Sequence, residues 1–152
     1  MKTTIRKRIF LESKYLDKKI KQHLLSKLRE KMYNECTNDI GYILHIEDDI
    51  KIISNINNVF IVEFNAEIFK PEPNDEYDSK ICMIYKDGIF VDIKDRQKML
   101  IPASSLKDYT YNDENNTFYK DDLHLSKDDI IRCKISAVRY NNRKFSCFGS
   151  LV

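Results

Sequence analysis

The fold is decided by residues 59–76, VFIVEFNAEIFKPEPNDE, the longest strand-like run of the chain and the break that follows it. Apolar side chains alternate with polar ones from Phe60 to Ile68, which is typical of an antiparallel strand with one buried face. Two prolines then end the run, because proline cannot donate the backbone hydrogen bond that a strand needs. The sequence therefore predicts two domains, residues 1–77 and residues 78–152.

The first predicted domain combines one helix with several strands. Apolar residues recur every fourth position from Leu16 to Met32, which indicates an amphipathic helix, and Asp17 is predicted to cap its start. The period then changes from four to two, as expected of antiparallel strands. The predicted strands of this domain are residues 3–11, 40–46, 50–53 and 59–69.

The second predicted domain contains strands, turns and one short helical turn. Five short strands are expected, and a long polar connection, residues 107–127, separates the third strand from the fourth. That arrangement is typical of an OB-type barrel. The predicted strands are residues 80–85, 89–93, 99–101, 130–140 and 144–148. The fold class predicted for the chain is α+β, a helix on an antiparallel sheet followed by a five-stranded β-barrel.

The composition excludes several classes of protein. The 152 residues carry 26 basic and 24 acidic side chains, and the net charge of +2 argues against a strongly basic DNA-binding protein. The three glycines, at positions 41, 88 and 149, cannot form a glycine-rich nucleotide loop. No apolar run approaches the ~20 residues that cross a bilayer, and the first residues lack the apolar stretch of a secretory signal. The four cysteines are predicted to be reduced, as in a cytosolic or nuclear protein.

The small net charge conceals a strong internal separation of charge. Residues 1–32 carry 11 basic and 3 acidic side chains, whereas residues 33–78 carry 2 and 11. Lysines surround the apolar stripe of the predicted helix, and a solvated face is the favoured interpretation over contact with nucleic acid or a membrane.

No pattern in the chain predicts an enzyme. His23, His45 and His124 lie in three different predicted elements, and no nucleophile or carboxylate stands at motif spacing from any of them. Adjacent aspartates occur at residues 48–49, 121–122 and 128–129, and each pair borders a predicted turn, where solvated carboxylates are expected. We therefore predict no catalytic residue, no metal site and no cofactor.

Cations and aromatic side chains along the predicted barrel indicate a surface for single-stranded RNA. Such binding needs positive charge for phosphates and aromatic rings for base stacking. Phe90 has a second interpretation, because a side chain on its strand could equally lie in the barrel core. The residues predicted to contact RNA are Lys86, Phe90, Lys94, Arg96 and Lys98 on the second and third strands, and Arg139, Tyr140, Arg143 and Lys144 in the last hairpin.

Four segments, in this order, resemble the larger stalk subunit of multisubunit RNA polymerases, a family with members in RNA polymerase II, in archaea and in large DNA viruses. These segments are GYIL (41–44), VEFNAEIFKP (62–71), GIFVDI (88–93), and the pair DIIRCKI (129–135) with SCFGSL (146–151). The third segment resembles the opening of an S1-type RNA-binding barrel. Asp87 and Pro102 replace an aromatic residue and a histidine of many S1-type barrels, which predicts modest, sequence-tolerant RNA affinity.

The resemblance implies a non-catalytic stalk subunit of a DNA-directed RNA polymerase. Its tip domain, residues 1–77, would dock on the polymerase core near the clamp, and its S1-type barrel, residues 78–152, would contact nascent RNA during initiation and elongation. The expected partners are the core subunits, a smaller helical stalk subunit that forms a heterodimer with it, and single-stranded RNA, with no membrane. The residues predicted for core docking are Phe10, Leu11, Asn55, Ile56, Asn57 and Asn58.

Two questions about this assignment stay open in the sequence. The expected location is the nucleus for a cellular protein, and the host cytoplasm or the virion for a viral one. The alternative function is a free-standing OB-fold RNA-binding protein that acts in translation or RNA decay. A stalk subunit is expected to expose apolar surface without its partner, whereas a free module should be monomeric.

Overall fold

The computed structural model of the protein describes residues 1–33 and 35–152, which form two compact units, Met1–Lys70 and Pro71–Val152. We call them the N-terminal unit and the barrel unit. The division lies seven residues before the predicted boundary at residue 77. The difference arises because the first barrel strand already pairs with a later strand at Glu76, so residue 77 lies inside that strand.

The N-terminal unit is an antiparallel sheet with one helix. A long strand in the middle, β5, pairs with β1 along one edge, and β4 and β3 share its other edge. A short 3-10 turn lies between β1 and the helix. The strands are β1 (Lys2–Phe10), β2 (Cys36–Thr37), β3 (Gly41–Ile46), β4 (Lys51–Ile56) and β5 (Val59–Phe69), and the helix is α1 (Ile20–Met32).

The core of the N-terminal unit lies between α1 and one face of the sheet. Leu24, Leu28 and Met32 of α1 are buried against alternate residues of β1 and β5. Each large apolar side chain that becomes fully buried contributes about 1.5–3 kcal/mol, so this apolar stripe holds the helix on the sheet. The sheet residues in the same core include Ile5, Ile9, Phe60, Val62, Phe64, Ala66 and Ile68.

The start of α1 differs from the prediction. The helix begins at Ile20, and the residue before it, Lys19, makes no side-chain capping hydrogen bond. Asp17 lies too early in the chain to cap the helix. Its Oδ1 instead accepts the backbone N–H of Lys19 at 2.8 Å and closes the turn that leads into the helix. That hydrogen bond is the main cause of a lowered pKa for Asp17.

Gly41 shows why one glycine of the resembling segments is required. It starts β3 with a φ of +78°, a left-handed conformation that glycine adopts without strain. A Cβ at this position would also collide with the backbone oxygen of Phe69 at the end of β5. The close approach of β3 to β5 therefore depends on glycine here.

The barrel unit is a closed five-stranded barrel with the order β12-β13-β8-β7-β6. The pairing of β13 with β8 is parallel, and the other pairings are antiparallel. Inward-facing residues such as Ile89, Val91 and Met99 are completely buried. The strands are β6 (Glu76–Tyr85), β7 (Gly88–Ile93), β8 (Gln97–Pro102), β12 (Ile130–Asn141) and β13 (Lys144–Leu151).

The connection between β8 and β12 contains structure that the sequence analysis did not predict. Instead of an irregular polar excursion, it folds into a small antiparallel sheet with the order β11-β10-β9. Phe118 and Leu125 are buried and pair across it, which gives the sheet a core of its own. Its strands are β9 (Thr110–Asn112), β10 (Thr117–Lys120) and β11 (Leu123–Leu125).

The predicted fold class is confirmed: an α+β unit with one helix on an antiparallel sheet precedes an OB-type barrel. All four cysteines are free thiols. Burial raises the pKa of Cys133 and of Cys147 to about 11, so both stay protonated at neutral pH and pack as small apolar residues. Within residues 1–33 and 35–152, no helix is both long and apolar enough to cross a membrane.

Candidate nucleic-acid interface

A row of apolar side chains crosses the outer surface of the barrel. Phe90 of β7 pairs with Met83 of β6 on one side and with Leu100 of β8 on the other. Leu100 in turn pairs with Phe148 of β13. We call Met83, Phe90, Leu100 and Phe148 the apolar belt. The four side chains point outward, because the residues that flank Phe90 and Leu100 in their strands, such as Val91 and Ile101, are completely buried.

The apolar belt is exposed to solvent. Met83 is 54% exposed and Phe148 is 47% exposed, while Phe90 and Leu100 are partly covered. The ring of Tyr85 lies 5.8 Å from that of Phe90 and extends the aromatic surface. Of the two interpretations of Phe90, the structure therefore selects the outer face over the core. An outward aromatic ring on a barrel strand is in position to stack on a base.

Polar side chains form a second row beside the belt. Asp92 of β7 pairs with Lys98 of β8, and Arg139 of β12 pairs with Ser146 of β13. The Nζ of Lys98 lies 3.1 Å from Oδ1 of Asp92 and 3.7 Å from Sγ of Cys82. The hydrogen bond to Asp92 is the main cause of a raised pKa for Lys98. Lys98 and Arg139 thus lie in one row beside the belt, and Asp92 partly neutralises the charge of Lys98.

The remaining predicted cations divide between the two ends of the barrel. Lys94 and Arg96 lie in the β7–β8 turn, and the Nζ of Lys94 lies 5.9 Å from the ring centre of Tyr77. Arg143 and Lys144 are at the β12–β13 turn, which is at the same end because β13 runs parallel to β8. Lys86 lies in the β6–β7 turn at the opposite end.

Tyr140 occupies a different place from the other predicted RNA contacts. It pairs across the last hairpin with Phe145, which is buried, and the two ring centres are 4.9 Å apart. The alternation of β12 therefore puts Tyr140 on the inner side of the hairpin, and Arg139 on the outer side. Tyr140 closes the end of the barrel interior and does not join the apolar belt.

Sequence reasoning missed three members of the belt, Met83, Leu100 and Phe148. The outward orientation of Phe148 was predictable, because Phe145 and Cys147 lie on one face of β13 and leave Phe148 on the other. The orientation of Met83 was not predictable, since a bulge between Ile81 and Met83 shifts the alternation of β6. Without the bulge the periodicity would assign Met83 to the barrel interior.

The residues predicted for core docking lie together at the β4–β5 hairpin of the N-terminal unit. Phe10 and Ile56 both pair with Val59 on the outer face of the sheet, and their side chains are 56% and 74% exposed. Asn55 and Asn57 are also exposed, and Asn57 has a φ of +55° in the tight turn. This end of the hairpin presents apolar side chains to solvent.

Two of the predicted docking residues make contacts inside the N-terminal unit. Leu11 is only 1% exposed and belongs to the core of the N-terminal unit, so its side chain does not reach the surface. The Nδ2 of Asn58 donates to the backbone oxygen of Leu11 at 2.8 Å and to Oγ of Ser13 at 3.1 Å. Both residues hold the hairpin in place, whereas Phe10 and Ile56 supply its exposed surface.

The described residues contain no group of three or more His, Cys, Asp or Glu side chains placed to hold a metal ion. The barrel surface offers aromatic rings and lysine and arginine side chains, which are groups suited to non-covalent recognition.

Comparison with known proteins gives a similarity that extends over most of the chain. It is 25% identical over 134 residues to the DNA-directed RNA polymerase II subunit RPB7 of Saccharomyces cerevisiae. The similarity covers 83% of this chain and 76% of RPB7.

A family model matches the barrel. Residues 70–147 match the S1 RNA binding domain, and this range includes the strands that carry Met83, Phe90 and Leu100. The match covers 78 of the 152 residues. The chain therefore belongs to the S1 RNA-binding domain family.

Proposed function

We propose that the protein is a non-catalytic stalk subunit of a DNA-directed RNA polymerase. Through its N-terminal unit it docks on the polymerase core near the clamp, and through its barrel it contacts nascent RNA during initiation and elongation. The observation that carries the proposal is the extent of the similarity to RPB7. Because it covers 83% of the chain, it runs beyond the S1-matched residues into the N-terminal unit, which a shared S1 barrel alone would not explain.

The apolar belt supports contact with single-stranded RNA. Stacking of one base on an aromatic side chain contributes about 1–3 kcal/mol and tolerates any sequence. Phe90 and Phe148 offer two such rings, and Lys98 and Arg139 beside them offer charge for the phosphates. The pairing of Lys98 with Asp92 keeps that attraction modest, as suits an RNA contact made while the protein is held on its polymerase.

The exposed end of the β4–β5 hairpin supports docking. Phe10 and Ile56 form an exposed apolar surface at the end of the hairpin. Asn58 connects the hairpin to the segment after β1 by its hydrogen bond to the backbone oxygen of Leu11. The buried centre of a protein interface is more apolar than its rim, and a few residues near that centre carry most of the binding energy. The partners in this proposal are the polymerase core subunits and a smaller helical stalk subunit that forms a heterodimer with the chain.

Affinity purification of the tagged chain from its natural source tests the proposal. The largest polymerase subunits are expected to co-purify, and Ile56→Asp is expected to reduce their recovery, because a charge would enter the docking surface. Leu123→Asp is the matched control, since Leu123 is 60% exposed and lies in the small sheet of the barrel unit. Absence of polymerase subunits from the parent preparation would refute the proposal.

The second candidate is a free-standing RNA-binding protein that acts in translation or RNA decay. Membership of the S1 RNA-binding domain family favours it, because the matched residues 70–147 lie almost entirely within the barrel unit and need no polymerase to account for them. The same purification separates the two candidates. Ribosomal or decay proteins without polymerase subunits, from a chain that is monomeric on its own, would favour the free-standing protein.

A further inference from the structure

The N-terminal unit uses its acidic side chains to neutralise β1 and the last turns of α1. Lys2 pairs with Glu47 at 3.3 Å, Arg6 with Glu63 at 2.8 Å, and Lys7 with Glu35 at 2.9 Å. Arg29 near the end of α1 pairs with Asp48. Much of the charge separation in the sequence is therefore cancelled inside the fold.

Exposed lysines at and after the start of the helix, Lys19 among them, are left without such partners. Lys18, Lys21 and Lys27 are exposed, and none of them forms an ion pair with a carboxylate in residues 1–33 and 35–152. We call them the α1 lysines. The helix rises ~1.5 Å per residue with ~3.6 residues per turn, so Lys21 and Lys27 are about 9 Å apart along its axis and about 120° apart around it.

Helix stability does not explain these lysines. The first turn of α1 contains no acidic residue, although the N-terminal end of a helix favours negative side chains by about 0.3–1 kcal/mol each. Departures from such rules concentrate at functional sites. Positive charge in the first turn of α1, at Lys21, is therefore slightly unfavourable for the helix.

From this unpaired charge we infer that the α1 lysines bind the phosphate backbone of nucleic acid, as a second contact in addition to the barrel. Lysine is depleted in protein–protein interfaces, whereas exposed lysines on flexible stems are common phosphate contacts. The solvated face that the sequence favoured thus becomes a binding surface, since residues 18–32 carry six basic side chains and a single acidic one, Glu30.

The test measures binding of the full chain to two probes, a mixed-sequence duplex DNA and an oligouridylate, each of about 20 units, over a range of salt. The variant is Lys21→Glu with Lys27→Glu. The matched control is Lys107→Glu with Lys127→Glu, which makes the same change of charge at exposed lysines of the barrel unit. Duplex DNA cannot offer unstacked bases to the barrel, so it reports phosphate contacts without stacking, and the two variants show which lysines make them.

The α1 variant is expected to weaken binding at low salt by about tenfold, and to reduce the salt slope by about 1.8 on duplex or about 1.4 on single strands. Loss on one probe identifies DNA or RNA as the ligand, and loss on both identifies the phosphate backbone in general. The carboxylate introduced at position 21 lies in the first turn of α1, where negative charge is favoured, whereas the one at position 27 is three residues from Glu30. Far-UV circular dichroism of the variant at the temperature of the titration therefore checks that unfolding does not explain the loss. Unchanged binding to both probes, or an equal loss in the control, would overturn the inference. Binding of polyglutamate, a polyanion without phosphates, in place of nucleic acid would overturn it as well.

Discussion

Phe148 lies on the outer face of β13, directly after the buried Cys147, and its ring makes no contribution to the barrel interior. Phe148→Ala is expected to weaken binding of oligouridylate by about 1–3 kcal/mol, because one stacking surface is removed. The salt dependence should stay the same, since no charge changes. Fluorescence anisotropy titrations measure both quantities.

Leu123→Ala is the control for this prediction, because it removes an apolar side chain that is 60% exposed, against 47% for Phe148, and that lies away from the belt. Equal effects of the two substitutions would show that the belt is not the site of stacking.

Asp92 limits the attraction between the belt and RNA. Asp92→Asn releases Lys98 and removes a negative charge, so affinity should rise several-fold and the salt slope should steepen by about 0.7. The substitution lowers the raised pKa of Lys98 toward its ordinary value, which is still far above neutral pH, so the cation is retained. The same titrations apply, with Asp113→Asn as a control of equal charge in the connection between β9 and β10. Weaker binding by Asp92→Asn would show that Lys98 needs its partner to be correctly placed.

At the scale of elements, the β4–β5 hairpin depends on one side chain. Asn58→Ala removes two hydrogen bonds to the segment after β1, worth about 0.5–1.5 kcal/mol each, so the free energy of unfolding should fall by about 1–3 kcal/mol. Asn55→Ala should have almost no effect, because Asn55 is exposed and makes no side-chain hydrogen bond among the described residues. Urea unfolding followed by far-UV circular dichroism compares the two. Similar stabilities would mean that the hairpin is held by its strand pairing alone.

The elements with a regular period were predictable from the sequence. The stripe of α1 and the alternation of β5 each reflect one buried face, and the structure has both. The small sheet β9–β11 was not predictable, because strands of three or four residues are too short to show a period and its core is little more than Phe118 and Leu125.

The candidate interface was predictable in part for the same reason. Phe90 and Lys98 follow the regular alternation of β7 and β8, and Arg139 lies after the bulge of β12, where the alternation is regular again. All three reach the outer surface. Tyr140 was misplaced because its orientation depends on its hairpin partner, and Met83 because it depends on a bulge. Register and bulges are set by pairing between distant segments, which local sequence does not specify.

At the scale of the whole molecule, charge is unevenly divided between the two units. The N-terminal unit carries 13 basic and 10 acidic side chains, whereas the barrel unit carries 13 and 14. The S1 barrel is thus slightly negative, although its surface offers rings for stacking. Stacking is therefore expected of the barrel unit alone, whereas charge-dependent contacts are expected of both units, from Lys98 and Arg139 of the barrel and from the α1 lysines.

A fragment of residues 71–152 tests this separation. It contains all five barrel strands and the small sheet, so it is expected to fold by itself. Its affinity for oligouridylate should fall by about tenfold at low salt, a difference of about 1.4 kcal/mol and the same loss as in the α1 variant, whereas its binding to duplex DNA should be lost. Anisotropy titrations at low salt compare the two proteins, and Phe148→Ala in the fragment checks that the retained binding uses the belt. If the fragment is folded but does not bind oligouridylate, RNA contact depends on the N-terminal unit; if it still binds duplex DNA, the α1 lysines are not the duplex site.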